Sequence, residues 1–366
     1  MFILSTRGTV SRPSLYPPPI LNFLEVLAKQ LGFIVGPCVR TGPNQIAFSD
    51  PKDVKTIHKM GSGFLKAKWY ERLMLRGTLV CLIRSKDHAA RRKHFYKAFS
   101  QQNILKWETE IQSKIAFRIA AMKQESQSGK AVDILTHFKS MATEVVVELC
   151  YGESTEPEHR AARNALTQGI RSELLLPQSE RFQSLPFYLQ YLPPPITRLI
   201  LRSLGTPINN NRLESFEKYC EGQKQTLLSK ALAENASGVE GALPWSIIVK
   251  EALAFFVAGR DTTAVTATYL IWATLKHPEV HDRLKEELTT KLGEEPTILE
   301  IQSLPYLHFV IQETLRLYGA VSTALPRRTP KGGYQVGDVF VPEGTTVTTQ
   351  AFTLHRNPDI FNDPLR

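Results

Sequence analysis

The residues Ala258-Gly259-Arg260-Asp261-Thr262-Thr263 place a glycine, a carboxylate and two hydroxyls inside a stretch that is otherwise apolar. In a buried helix each of these is costly. Glycine weakens a helix by about 1 kcal/mol relative to alanine. Aspartate and threonine offer the backbone competing hydrogen bonds that can open the helical ladder. Two readings of the hexapeptide stand side by side. In one it is a simple helix bend, with Asp261 paired to a nearby base. In the other it is a widened helical turn where a small molecule sits, with Asp261 and Thr262 supplying protons to it through water.

Other reactive groups are sparse. Cys38, Cys81, Cys150 and Cys220 lie far apart, and no Cys-x-x-Cys spacing supports a zinc ribbon or a redox pair. They read as free thiols acting as small hydrophobes, so no metal ligand is assigned. Gly61-Ser-Gly63-Phe-Leu-Lys66 lacks the third glycine of a dinucleotide fingerprint. Walker-type, His-Glu-x-x-His and Gly-x-Ser-x-Gly motifs do not occur.

The elements that must carry the hexapeptide are legible around it. Apolar residues run from Trp245 to Lys276 and stop before Pro278, which predicts one long buried helix. Asp50-Pro51, Thr297-Ile-Leu-Glu300 and Leu304-Pro305 mark further helix starts, the last with Leu307, Val310, Ile311 and Leu315 on one face. Residues 21–50 contain a strand, a Gly-Pro-Asn turn and a second strand. Residues 51–320 read as mostly helical, and residues 321–366 return to strand and turn. The outline is a mainly α (α+β) fold with a small sheet.

Composition agrees. The chain has 366 residues, 42% apolar and 22% charged, which excludes a disordered, collagenous or small disulfide-stapled protein. The net charge of +10 favours an acidic partner or anionic surface. No recognised nucleic-acid motif accompanies it, so no nucleic-acid partner is expected. No apolar run reaches the length of a membrane span.

The hexapeptide has company. His277-Pro278-Glu279-Val280, Leu304-Pro305-Tyr306-Leu307, Glu313-Thr-Leu-Arg316, Leu325-Pro326-Arg327-Arg328, Pro342-Glu343-Gly344-Thr345 and His355-Arg356-Asn357-Pro358 follow it in order. Val39-Arg40-Thr-Gly42-Pro43-Asn44, Phe48-Ser49-Asp50-Pro51 and His88-Ala-Ala-Arg91-Arg92 precede it. In that order and spacing the set resembles the cytochrome P-450 family of heme-thiolate monooxygenases, in its fungal, microsomal form.

The resemblance implies roles. Ala258 and Gly259 would line the cofactor groove of the central helix. Asp261 would be the acid of a proton relay, and Thr262 the hydroxyl that hydrogen-bonds the dioxygen. Glu313 and Arg316 would form a structural pair behind the heme. His88, Arg92 and Arg327 match positions around the heme propionates, and an arginine suits such a planar carboxylate. The implied partners are a lipophilic small-molecule substrate and an NADPH-dependent flavoprotein reductase. The reductase would dock on the basic cluster Arg84, Lys86, Arg91, Arg92, Lys93 and Lys97. Residues 185–204, apolar with two arginines, read either as a core helix pair or as a peripheral membrane contact.

The sequence also departs from the family pattern. The cysteine loop that ligates the iron is expected beyond Arg366, and no other cysteine has its context. The chain therefore reads as one incomplete domain over 1–366. Residues 1–35 are a shortened arm without an anchor, and residues 36–366 are a core without the thiolate loop. Two expectations follow. The first is a monooxygenase, plausibly of fungal secondary metabolism, at the cytosolic face of the endoplasmic reticulum. The second is a remnant without oxygen chemistry, at most a weak binder of heme or lipophilic ligands. Without an anchor the chain itself is expected to be peripheral or soluble.

Overall fold

The computed structural model describes residues 37–72, 77–129, 131–152, 226–322 and 324–364. The segment 185–204, the arm 1–35 and Cys220 lie outside the described residues.

Strand β1 (Cys38–Gly42) turns through Pro43-Asn44 into β2 (Gln45–Phe48), as the Gly-Pro-Asn signal predicts. Helix α1 (Pro51–His58) starts where Asp50 accepts a bond from the Lys52 amide and proline fills the first turn. Then come β3 (Leu65–Lys66), helix α2 (Ser85–Arg92), and the long helices α3 (Glu108–Gln127) and α4 (Ile134–Tyr151). Helix α5 (Ser229–Ala236) leads to the central helix α6 (Trp245–Lys276). Helices α7 (Pro278–Lys291), α8 (Ile298–Gln302) and α9 (Pro305–Tyr318) follow. Thr297 and Glu300 close the expected capping box on α8. The described chain finishes with β4 (Arg327–Arg328), β5 (Tyr334–Val336), β6 (Val339–Val341), β7 (Thr346–Thr349) and the short helix α10 (Ala351–Leu354).

Five strands form one sheet in the order β1-β2-β7-β4-β3. The β2–β7 pair is parallel and sets Ile46 against Val347; the other pairs are antiparallel. Strands β5 and β6 make a separate hairpin. Two apolar clusters hold the layers together. Phe48, Ile57, Phe64, Val336, Val341 and Val347 join α1, the sheet and the hairpin. Phe95, Val147, Cys150, Leu228, Ile248, Ala252 and Phe256 join α4, α5 and α6. Cys81 and Cys150 are buried, Cys38 is partly buried, and all three are free thiols.

Two details differ from expectation. Helix α6 has the expected ends, but residues 258–263 stay α-helical without a widened turn. Three threonine hydroxyls bond back one turn instead: Thr262 Oγ1 to the Ala258 carbonyl at 2.5 Å, Thr266 Oγ1 to Thr262 at 2.9 Å, and Thr268 Oγ1 to Ala264 at 2.8 Å. These three are thus satisfied without opening the ladder, whereas Thr274 Oγ1 nearer the end of the helix is buried without a partner among the described residues. On α9 the buried positions are Thr314 and Arg316, whereas Leu315 of the expected apolar face is 38% exposed. Leu307, Val310 and Ile311 of that face are partly buried, and Arg316 is held inward by the ion pair described below.

Candidate functional site

Helix α6 crosses α4 at very short range. A β-carbon at Gly259 would sit 2.7 Å from Val146 Cγ2 of α4, so only glycine fits that crossing. The glycine that looks costly in the sequence therefore has a packing function. Next to it Arg260 is buried, with its Nε free of any partner and Nη1 3.6 Å from Asp261 Oδ2. The Asp261 side chain is 48% exposed. Ala258 and Thr263 are exposed, and Thr262 is partly buried. This stretch of the central helix thus presents a methyl, a carboxylate and two hydroxyls within reach of solvent.

A second group of residues gathers where β3, β4 and α2 meet. Lys66 and Arg327 are direct partners on antiparallel strands. Lys66 Nζ donates to the carbonyls of Leu79 (3.3 Å) and Val80 (2.8 Å). His88 is partly buried on α2, and Arg92 is exposed one turn later. Burial first, then Lys66, Arg92 and Arg327, push the His88 imidazole below its ordinary range. Burial and then Arg327 depress the Lys66 ammonium too. His58, bonded to Thr349 Oγ1 at 2.7 Å, is lowered by burial and by Arg327. Among the described residues no carboxylate pairs with Lys66, His88, Arg92 or Arg327, and Arg327 Nε is buried without a partner. The sequence motifs single out His88, Arg92 and Arg327; Lys66 carries no such signal.

The neighbouring Arg91 behaves differently. Expected on a docking face, it turns inward: Nη1 lies 2.7 Å from Glu251 Oε1 and 3.2 Å from the Gly77 carbonyl. Glu251, on α6, is fully buried and also accepts from the Leu79 amide at 2.8 Å. Burial pushes its carboxyl up, partly offset by these bonds. A carboxylate buried among apolar residues needs such partners, so Arg91 is drawn off the surface. Glu251 has no motif around it, and its only sequence signal is a carboxylate in an apolar run. Arg84, Lys86, Arg92, Lys93 and Lys97 remain exposed.

A third group lies at the end of α9. Arg316 donates Nε to Glu313 Oε2 (2.8 Å) and Nη2 to Glu313 Oε1 (2.5 Å). Its Nη1 donates to the carbonyls of His355 (2.7 Å) and Pro364 (2.8 Å). The guanidinium also lies 4.6 Å from the Phe361 ring centroid. Arg356 returns the connection, with Nη2 donating to the Leu317 carbonyl at 2.5 Å. The Glu-x-x-Arg pair thus ties α9 to residues 355–364.

The family model for cytochrome P-450 matches residues 18–366. The chain belongs to the cytochrome P-450 family. It is 33% identical to the cytochrome P-450 monooxygenase tazI of Aspergillus terreus, over 92% of this chain and 70% of that protein. It is 32% identical to the cytochrome P-450 monooxygenase stcB of Emericella nidulans, over 90% of this chain and 64% of that protein. It is 31% identical to the cytochrome P-450 monooxygenase aflV of Aspergillus parasiticus, over 90% of this chain and 67% of that protein. The chain spans about two-thirds of the length of these relatives.

The cofactor of this cytochrome P-450 family is heme. Heme carries two carboxylates, and the residues present fit them. A buried Arg327 Nε without a partner, beside Lys66 and near His88, is a set of donors with no carboxylate among the described residues. Bidentate arginine and a nearby ammonium are what a propionate requires. Among the described residues no helix is long and apolar enough to cross a membrane.

Proposed function

We propose that this cytochrome P-450 chain serves a monooxygenase that inserts one oxygen atom from dioxygen into a lipophilic small molecule, of the kind made in fungal secondary metabolism. The observation that carries the reading is the basic cluster at β3, β4 and α2, which has no carboxylate partner among the described residues. Arg327, Arg92 and His88 would hold the heme carboxylates. When bound, heme supplies the oxygen chemistry, and the protein supplies position and protons.

The chain's own contribution centres on α6. Asp261, half in solvent, can exchange its proton with water and pass it inward. Thr262 Oγ1 has its hydrogen on the Ala258 carbonyl, so its lone pairs face outward as acceptors. It can receive a proton from water and release its own from Ala258 toward a ligand. A positioned acid of this type contributes about 10²–10⁴-fold. Glu251 and Arg91 hold residues 77–79 against α6 and thereby fix α2, which carries His88 and Arg92.

Electrons would come from an NADPH-dependent flavoprotein reductase meeting Arg84, Lys86, Lys93 and Lys97, since complementary charge speeds such encounters. The cytosolic face of the endoplasmic reticulum is the matching location. The test is to load the protein with heme, add a microsomal reductase and NADPH, and measure product formed per dioxygen consumed. Asp261→Asn and Thr262→Ala should each lower that ratio severalfold. Unchanged ratios would reject the relay, and a chain that retains no heme would reject the cofactor reading.

A further inference from the structure

Helix α3 has 20 residues, and none of them is buried. We propose that α3 is a strap fastened to α4 by charge, which raised ionic strength unfastens while α4 and α6 stay folded.

Three observations carry it. First, the charges of α3 and α4 pair in register. Lys114 Nζ lies 3.7 Å from Glu148 Oε2. Arg118 donates through Nε and Nη2 to the two carboxylate oxygens of Glu144. His137 Nε2 lies 2.7 Å from Glu125 Oε2, an ion pair when the imidazole is protonated. From rung to rung α3 advances by four and then seven residues, while α4 retreats by four and then seven. Those steps keep to one face of each helix, so the rungs form one antiparallel ladder. Second, the rungs are partly open to water: the Arg118 and Glu144 side chains are 22% and 32% exposed. Salt screens such pairs, and its screening length falls from about 10 Å at 0.1 M to about 3 Å at 1 M. Third, α3 and α4 are held differently. At the start of α3 Glu108 accepts from the Ile298 amide, and Gln112 Nε2 donates to the Pro296 carbonyl at 3.1 Å. Helix α4 instead turns Val147 and Cys150 into the core and Val146 toward Gly259 of α6, an apolar hold of its own. The strap therefore backs the crossing next to Asp261 and Thr262. The competing explanation is that the partly buried Ile111, Ile115 and Ile119 hold α3 by apolar contact, and the rungs add nothing.

Hydrogen exchange read by mass spectrometry separates the two explanations. The full chain is compared at fixed pH in sodium chloride of about 0.05 M and about 1 M. A helix released from its neighbour is marginal in water and loses protection. The α3 amides should exchange about fivefold faster at the higher salt, with the α4 and α6 amides unchanged. Apolar contact predicts no such loss, because salt does not screen it. Glu144→Gln should reproduce the high-salt behaviour at low salt. Arg118→Glu and Glu144→Arg should each expose α3. The two together should restore its protection, because the rung is rebuilt with its poles exchanged. If a single reversal fails to fold, the paired reversal and the salt series still decide. Exchange of α3 that salt leaves unchanged would overturn the proposal. So would a paired reversal no better protected than the single ones, or loss of protection in α3, α4 and α6 together.

Discussion

Arg316 and Arg327 begin alike, as arginines within motifs, and end in opposite states. Arg316 spends its donors on Glu313 and on the carbonyls of His355 and Pro364, with an aromatic ring beside it. Arg327 sits opposite another cation, and its buried Nε has no partner. A guanidinium that is fully satisfied within the chain is part of the scaffold. One that keeps a buried donor unpartnered, as Arg327 does, is the one proposed above to meet the cofactor's carboxylates. The same contrast separates Arg91, drawn inward by Glu251, from Arg92, its exposed neighbour.

The strongest way to break this comparison is to remove each arginine in turn. Arg316→Met strands two carbonyls and the Glu313 carboxylate, which should cost about 3 kcal/mol in a urea melt. Arg316→Lys should recover little, because an ammonium cannot reproduce the fork. Arg327→Met should change stability by no more than about 0.5 kcal/mol while reducing hemin binding. Equal losses of stability in the two variants would erase the distinction.

A smaller effect is expected at the α4–α6 crossing. Gly259→Ala brings a methyl to 2.7 Å from Val146 Cγ2 and should cost about 1–3 kcal/mol. Adding Val146→Ala should return part of that, read as a coupling energy in a double-mutant cycle. Absence of coupling would mean the crossing adjusts freely.

The smallest effect is the pH dependence of stability. His58 and His88 are both depressed below the ordinary imidazole value of 6.5. Between the folded value and 6.5 the unfolded chain holds more protons, so stability falls as pH falls through that window. Glu251 works the other way: raised above 4.5, it holds more protons folded and gains stability as pH falls toward that value. The histidine part of the stability should therefore decline from pH 7 toward 5, read in thermal melts as the difference between the wild type and the histidine variants. His88→Gln should flatten the decline, and so should bound hemin, because its carboxylates offset the surrounding cations. A slope that hemin leaves unchanged would place His88 away from the carboxylate site.

The sequence made the elements readable where local chemistry decides them. Pro51, Pro278 and Pro305 start helices, Thr297 and Glu300 cap one, and the Gly-Pro-Asn turn joins β1 to β2. The Glu313–Arg316 pair was legible because its spacing is local. What was not legible depends on groups far apart in the chain. Glu251 meets Arg91 and Leu79 across more than 150 residues, and no periodicity announces that. Lys66 acquires its meaning only from strand pairing with Arg327. The reason for Gly259 is a side chain on another helix. The hydroxyls of Thr262, Thr266 and Thr268 look disruptive in one dimension, and become harmless once their bonds to the preceding turn are seen.

The parallel pairing of β2 with β7 has a consequence for the order of events during synthesis. Ile46 waits for Val347, about 300 residues later in the chain. At roughly 5–20 residues per second, a ribosome needs on the order of 15–60 s to deliver that partner. Through that interval one edge of β2 has no strand beside it, whereas α4 and α6 can already meet. The sheet that brings Lys66 to Arg327 is therefore closed late, and the nascent chain is most open to chaperones, and to mispairing with other strands, before β7 emerges.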